Sequence, residues 1–182
     1  MIRLLTGSTH TGKTLLAQRL LERHGAPYLS IDHLKMGLIR SGMCPLTPES
    51  PDEALTAVLW PVVREIVKTA VENGQSLTVE GCYIPFNWRE DFDASCLPHI
   101  RFLCLVFSEA YIRTRFDAIQ THANAIERRK DDSFCTMELL LAENRRNLEA
   151  CRRRGLPYYL IDGPYAPVSY THLRAHETEL HL

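Results

Sequence analysis

Gly7 and Gly12 bracket four residues, and Lys13 and Thr14 follow directly. Glycines at this spacing let the backbone curl until its N–H groups converge on an anion. An ammonium beside the curl puts a point charge on the outer oxygens of a phosphate chain, and a neighbouring hydroxyl can ligate a divalent cation. The octapeptide Gly7-Ser8-Thr9-His10-Thr11-Gly12-Lys13-Thr14 is therefore read as the cradle of a nucleotide, expected to be ATP, with Thr14 on Mg²⁺. Ser8, Thr9, His10 and Thr11 would serve through their amides. His10 stands at a variable position for which no chemistry of its own is expected.

Two carboxylates follow short apolar runs: Asp32 after Tyr28-Leu-Ser-Ile, and Glu80 at the end of Leu77-Thr-Val-Glu. If these runs are parallel strands, both acids reach the sheet edge where ligands bind. Asp32 can take or orient the proton of an acceptor hydroxyl; in the competing reading it caps the next helix. Glu80 can hold Mg²⁺ through water or bind the acceptor, and it is the other candidate for the base. Asp162 is a weaker third, equally well explained as a turn residue. Ten of the 17 arginines lie between Arg101 and Arg154, against only 4 lysines in the chain. The planar guanidinium suits phosphoryl oxygens. Arg128 and Arg129 sit in a polar stretch without clear period, residues 121–133, which is expected to be a small lid. Arginines on such a lid would act in catalysis as charge develops and water is excluded. Arg113 and Arg115 lie on the helix leading into it, and Arg145 and Arg146 fall mid-helix. Arg152, Arg153 and Arg154 are sufficiently explained as cations at a helix C-terminus.

The elements that must position these groups follow from hydrophobic periodicity. Ile2–Thr6, Tyr28–Ile31, Leu77–Glu80, Ile100–Phe107 and Tyr158–Ile161 are short apolar runs that predict strands. Helices are predicted over Thr14–His24, Leu34–Ile39, from the capping sequence Ser50-Pro-Asp-Glu53 to Asn73-Gly74 with a bend at Pro61, from Ser108 to Gln120, and over Cys135–Arg154. In the last of these, Met137, Leu140, Leu141, Leu148 and Cys151 form one stripe. Short strands alternating with helices predict a single α/β domain, a parallel sheet covered on both faces.

The 182 residues suit one domain, and a net charge of −1 offers no field that would draw nucleic acid or a membrane surface. Nothing ahead of the first strand reads as a signal peptide, and no apolar run approaches membrane-spanning length. Six scattered cysteines without a CxxC pair point to free thiols in the cytoplasm, several of them in the core. The chain beyond Pro167 has no period of either kind, and Val168-Ser-Tyr-Thr-His-Leu-Arg-Ala-His-Glu-Thr178 resembles a translated sequencing adapter. Residues 1–166 are thus taken as the domain and 167–182 as a non-native tail, which makes the spacing of His172, His176 and His181 accidental rather than a metal site.

A nucleotide cradle serves switches, motors and kinases. The chain carries no Asn-Lys-x-Asp segment to read guanine, no Ser-Gly-Gly-rich transporter signature and no room for the extra helical domains of large motors. A kinase remains, with the acceptor beside the loop. The octapeptide, the Asp32 segment, Glu80-Gly81 and the arginine-bearing stretch together resemble the nucleoside-monophosphate-kinase-like branch of P-loop kinases. Tyr28-Leu-Ser-Ile-Asp-His-Leu-Lys-Met-Gly-Leu-Ile-Arg-Ser-Gly42 and Val79-Glu-Gly-Cys-Tyr-Ile-Pro-Phe-Asn-Trp88 are most similar to bacterial proteins labelled adenylate-kinase-like or 2-phosphoglycerate-kinase-like. The resemblance spans about residues 1–165. It implies the P-loop NTPase three-layer sandwich, a five-stranded sheet of order 2-3-1-4-5, and a cytoplasmic Mg·ATP phosphotransferase acting on a small-molecule hydroxyl. Adenylate kinases carry an arginine soon after the third strand. Here none occurs before Arg89, which argues against a nucleoside monophosphate as acceptor. An ATP-dependent module acting on a macromolecule and a nucleotide binder without transfer activity are the other two expectations. Monomer and dimer are left open.

Overall fold

Alternate residues of β1 (Ile2–Gly7) belong to opposite cores: Ile2 and Leu4 face one, Leu5 the other. The same division runs along β4 (Ile100–Phe107), where Ile100, Phe102, Cys104 and Val106 join the first core and Leu103, Leu105 and Phe107 the second. Side chains of a strand alternate between faces, so a run apolar at every position must be covered on both. The computed structural model describes residues 1–122 and 135–163. With β2 (Tyr28–Ser30), β3 (Leu77–Glu80) and β5 (Tyr158–Ile161), these strands form one parallel sheet in the order β2-β3-β1-β4-β5. The parallel sheet is as the periodicity predicts, and its order is the one the family resemblance implies.

The first core is closed by α2 (Ile31–Arg40), α3 (Asp52–Glu72) and the aromatic segment after β3. Leu55, Leu59, Val63, Val67 and Ala70 recur along α3 at spacings of three and four, which turns one stripe inward. Pro61 lies inside α3, and Trp60 beside it donates from Nε1 to Asp91 Oδ2 at 2.8 Å, tying the helix to the 3₁₀ turn Trp88–Asp91. Ser50 does not cap this helix: Pro51 holds the N-cap position, and the Ser50 hydroxyl instead accepts from Thr47 N.

The second core lies under α1 (Lys13–His24) and α4 (Glu109–His122), and α5 (Met137–Arg154) reaches both. Ser108 caps α4 as expected, its Oγ accepting from Tyr111 N at 3.0 Å. The helix breaks at Arg115 (φ −130°, ψ 20°), one residue after Thr114 turns its hydroxyl back onto Ala110 O, a bond that bends helices. Thr136 caps α5 and Gly155 ends it in the left-handed region, so α5 starts two residues later than predicted. None of the six cysteines, all among the described residues, is in a disulfide; Cys82 is exposed and the other five are buried. No helix among the described residues is long and apolar enough to cross a membrane. The stretch 121–133 taken as a lid begins inside α4, since Thr121 and His122 are helical; its remainder, with Arg128 and Arg129, lies outside the described residues, as does 167–182.

Candidate active site

The C-terminal ends of the parallel strands converge on the loop between β1 and α1. Gly7 has φ 145°, and a Cβ there would lie 2.4 Å from Leu105 O and 2.9 Å from Thr11 Oγ1. No side chain fits. Gly12 (φ 81°) is the left-handed N-cap of α1, and its carbonyl accepts from Leu16 N at 2.9 Å. His10 also takes a left-handed φ of 64°, which costs a non-glycine residue free energy. Its Nδ1 sits 2.8 Å from Thr9 Oγ1 and 3.5 Å from Cys135 Sγ. The position expected to be chemically silent thus joins the loop to the residues just ahead of α5.

Bonds within the loop hold its shape. Thr11 Oγ1 and Lys13 Nζ both donate to Ser8 O, at 2.8 and 2.7 Å, and the Lys13 side chain is buried. Thr14, the next residue, donates from Oγ1 to Glu80 Oε1 at 3.3 Å. Glu80 is 1% exposed, so a carboxylate and a hydroxyl share a nearly dry place at the end of β3. Hard oxygen donors of this kind suit Mg²⁺, which takes one or two protein ligands and keeps several waters.

Two groups missed in the sequence come from α5. Asn144 is 2% exposed and makes three bonds: Phe107 N donates to its Oδ1 at 2.8 Å, and its Nδ2 donates to Ser8 Oγ and to Leu140 O, both at 2.7 Å. It therefore locks the start of the loop to the end of β4. Glu143 Oε2 accepts from Thr9 N at 3.4 Å. Burial raises the Glu143 carboxyl above its ordinary range; the Thr9 N–H and the Lys13 charge oppose that rise, and Asp52 adds to it. The signal was present in the helical stripe, where Asn144 stands four residues after Leu140 and four before Leu148.

On the other side, Asp32 does not follow a strand as predicted. β2 stops at Ser30 and α2 begins at Ile31, which puts Asp32 in the first helical turn, with Ser30 at the N-cap. The capping reading of Asp32 is thereby removed, although a carboxylate here still meets the positive end of the helix. Gly81 makes the approach possible, since a Cβ on it would stand 2.9 Å from Ile31 Cβ. Asp32 Oδ1 lies 2.8 Å from Lys35 Nζ, which also donates to Tyr83 Oη at 2.9 Å. Cys82 opens to solvent on one side, yet the protein around the rest of it pushes its thiol up to about 12; Lys13 opposes this, and Asp32 and Asp52 reinforce it. Burial likewise drives the Tyr83 phenol up, with Cys82, Asp32 and Asp52 adding to the effect. Thr14, Glu80, Asp32, Lys35 and Tyr83 border the edge of the sheet between the loop and α2, and this edge is the candidate crevice.

Three of the arginines pair away from the loop, whereas the Arg146 charge acts on Glu143. Arg113 and Arg145 both pair with Glu109 on the exposed surface, at 2.8 and 3.3 Å, and Arg154 pairs with Glu90 at 3.5 Å. Asp162 accepts from Ser108 Oγ.

No family model and no curated protein sequence matches this chain. Solved structures do. A gluconokinase from Sinorhizobium meliloti superposes with a TM-score of 0.54 at 18% identity, covering 99% of this chain and 97% of its own. A sugar kinase from Janibacter gives 0.53 at 17%, over 98% and 93%. A shikimate kinase from Bacteroides thetaiotaomicron gives 0.53 at 13%, over 100% and 99%. With the sheet order, this likeness establishes the α/β P-loop fold.

Proposed function

We propose that this chain is a cytoplasmic ATP-dependent phosphotransferase that moves the γ-phosphoryl group of Mg·ATP to the hydroxyl of a small molecule. The observation that carries the reading is the Thr14–Glu80 pair at 3.3 Å beside a loop whose Gly7 admits no side chain. Amides of the loop would cradle the phosphates, and Lys13 would exchange Ser8 O for oxygens of the β- and γ-phosphates. Thr14 and Glu80 would hold Mg²⁺, which when bound neutralises charge on those oxygens. Asp32 would accept the proton of the attacking hydroxyl as its oxygen bonds to the γ-phosphorus and ADP departs. Arg128 and Arg129 would add charge from the lid. The fold neighbours, a gluconokinase, a sugar kinase and a shikimate kinase, support a hydroxyl acceptor that is a small metabolite.

The test is ADP release, coupled to a dehydrogenase, across sugars, sugar acids, polyols and amino alcohols, with Lys13→Ala as the blank. Lys13-dependent release with one acceptor class is expected. ATP binding without release for any small molecule would favour a macromolecular acceptor or a silent binder.

A further inference from the structure

The Lys35 ammonium stands between two groups that the sheet and α2 bring together, Asp32 in the first turn of α2 and Tyr83 in the segment leaving β3. We infer that Lys35 is a positioning residue, which fixes the Asp32 carboxylate toward the crevice by bracing it against Tyr83. The inference rests on the proposed role of Asp32 as the group that takes or orients the acceptor proton.

The geometry separates this pair from an ordinary surface bridge. Asp32 is 41% exposed, and on its own such a side chain samples several rotamers. Lys35, one turn further along, is only 12% exposed and spans 2.8 Å to Asp32 Oδ1 and 2.9 Å to Tyr83 Oη. Elsewhere in the chain the pair Glu65–Lys68 has the same spacing with side chains 57% and 31% exposed, and it touches nothing catalytic. Tyr83 is 4% exposed, and burial keeps its phenol protonated, so its oxygen accepts from Lys35 through a lone pair. A rigid core residue, an ammonium and a half-exposed carboxylate thus form one chain that ends in the crevice. The bond to buried Tyr83 fixes the ammonium, and the ammonium in turn restricts where the Asp32 carboxylate can point. Misplacing a reacting group by about 1 Å costs on the order of 10²-fold in rate.

Water is the probe that isolates this role. It is the smallest hydroxyl acceptor and carries no anionic group, so a lysine that served only to bind an acidic acceptor would leave its reaction unchanged. Phosphate release from γ-labelled Mg·ATP is measured for the wild type, Asp32→Asn, Lys35→Met, the double variant and Tyr83→Phe, with nucleotide affinity and melting temperature alongside. Expected is a loss of about 10–100-fold in turnover for Lys35→Met, a smaller loss for Tyr83→Phe, and ATP affinity near wild type in both. In the Asp32→Asn background, adding Lys35→Met should cost nothing further, because a residue that acts through Asp32 has nothing left to position. If Asp32→Asn is impaired and Lys35→Met costs the same factor in both backgrounds, Lys35 acts independently and the inference is overturned. Near-normal release from Asp32→Asn overturns the reading of Asp32 itself. If the wild type excludes water and releases nothing, the same variants are compared on the acceptor selected by Lys13-dependent ADP release, where equal turnover of wild type and Lys35→Met overturns the inference. Should Lys35→Met fail to fold, Tyr83→Phe decides, since an unchanged rate in that variant removes the brace.

Discussion

Asn144→Ala tests whether α5 holds the phosphate loop in shape. The substitution removes the acceptor of the Phe107 N–H and the donor to Ser8 Oγ, in a place where Asn144 is 2% exposed and Phe107 equally buried. Losing these hydrogen bonds in a buried place costs about 1–3 kcal/mol, and the small void left by the side chain adds to it. The total comes to about 2–4 kcal/mol. For a domain of this size, 1 kcal/mol moves the melting temperature by about 2–4 °C, so a fall of about 4–16 °C is expected by calorimetry. Nucleotide affinity should fall as well, because Ser8 loses its link to α5 while Gly7 and Gly12 stay intact. Neither effect depends on the chemistry of the site. A melting temperature within about 2 °C of wild type would mean that water replaces both bonds, and the view of Asn144 as the buried clamp would fail.

Three other outcomes are expected. Lys13→Ala should remove most ATP binding in calorimetry, since the ammonium is the main point charge available to the β- and γ-phosphates; unchanged affinity would sink the cradle. Gly7→Ala should destabilise by at least about 3 kcal/mol in urea titration, because its Cβ would lie 2.4 Å from Leu105 O, and a soluble variant of normal stability would show that β4 yields there. Glu143→Gln should raise the melting temperature at pH 7 and tighten ATP, because burial holds this carboxyl above its ordinary value and its charge lies near Lys13. The native state then binds the proton more tightly than the unfolded chain. Stability from this group accordingly falls as pH rises from the ordinary Glu value through the raised one, so the advantage of Glu143→Gln should vanish on acidification below about 4.5; a difference independent of pH would refute the argument.

What the sequence reveals of this fold and site depends on whether the cause is local. The two glycines, Lys13 and Thr14 were legible because their requirement is written within eight residues: backbone that must curl, a charge and a hydroxyl at its end. The strands were legible because Phe102–Phe107 is an unbroken apolar run, which only a doubly covered strand needs. Asp32 was singled out by its neighbourhood, but the strand before it was drawn one residue too long and the helix three residues too late: Ile31 suits a strand by type, yet it opens α2 and sits close against Gly81. Lys35 and Tyr83 are 48 residues apart and carry no joint signal until β2 pairs with β3. Asn144 is the instructive intermediate. Its spacing in the stripe marked it as inward-facing, and an amide facing a core must find partners for both its oxygen and its nitrogen. That requirement, applied to the stripe, points to a place where backbone is left unpaired, and in a parallel α/β sheet such a place is the exit of a strand into its loop. The polar residue in an otherwise apolar stripe therefore points toward the active edge of the sheet, as Asn144 does through Phe107 and Ser8.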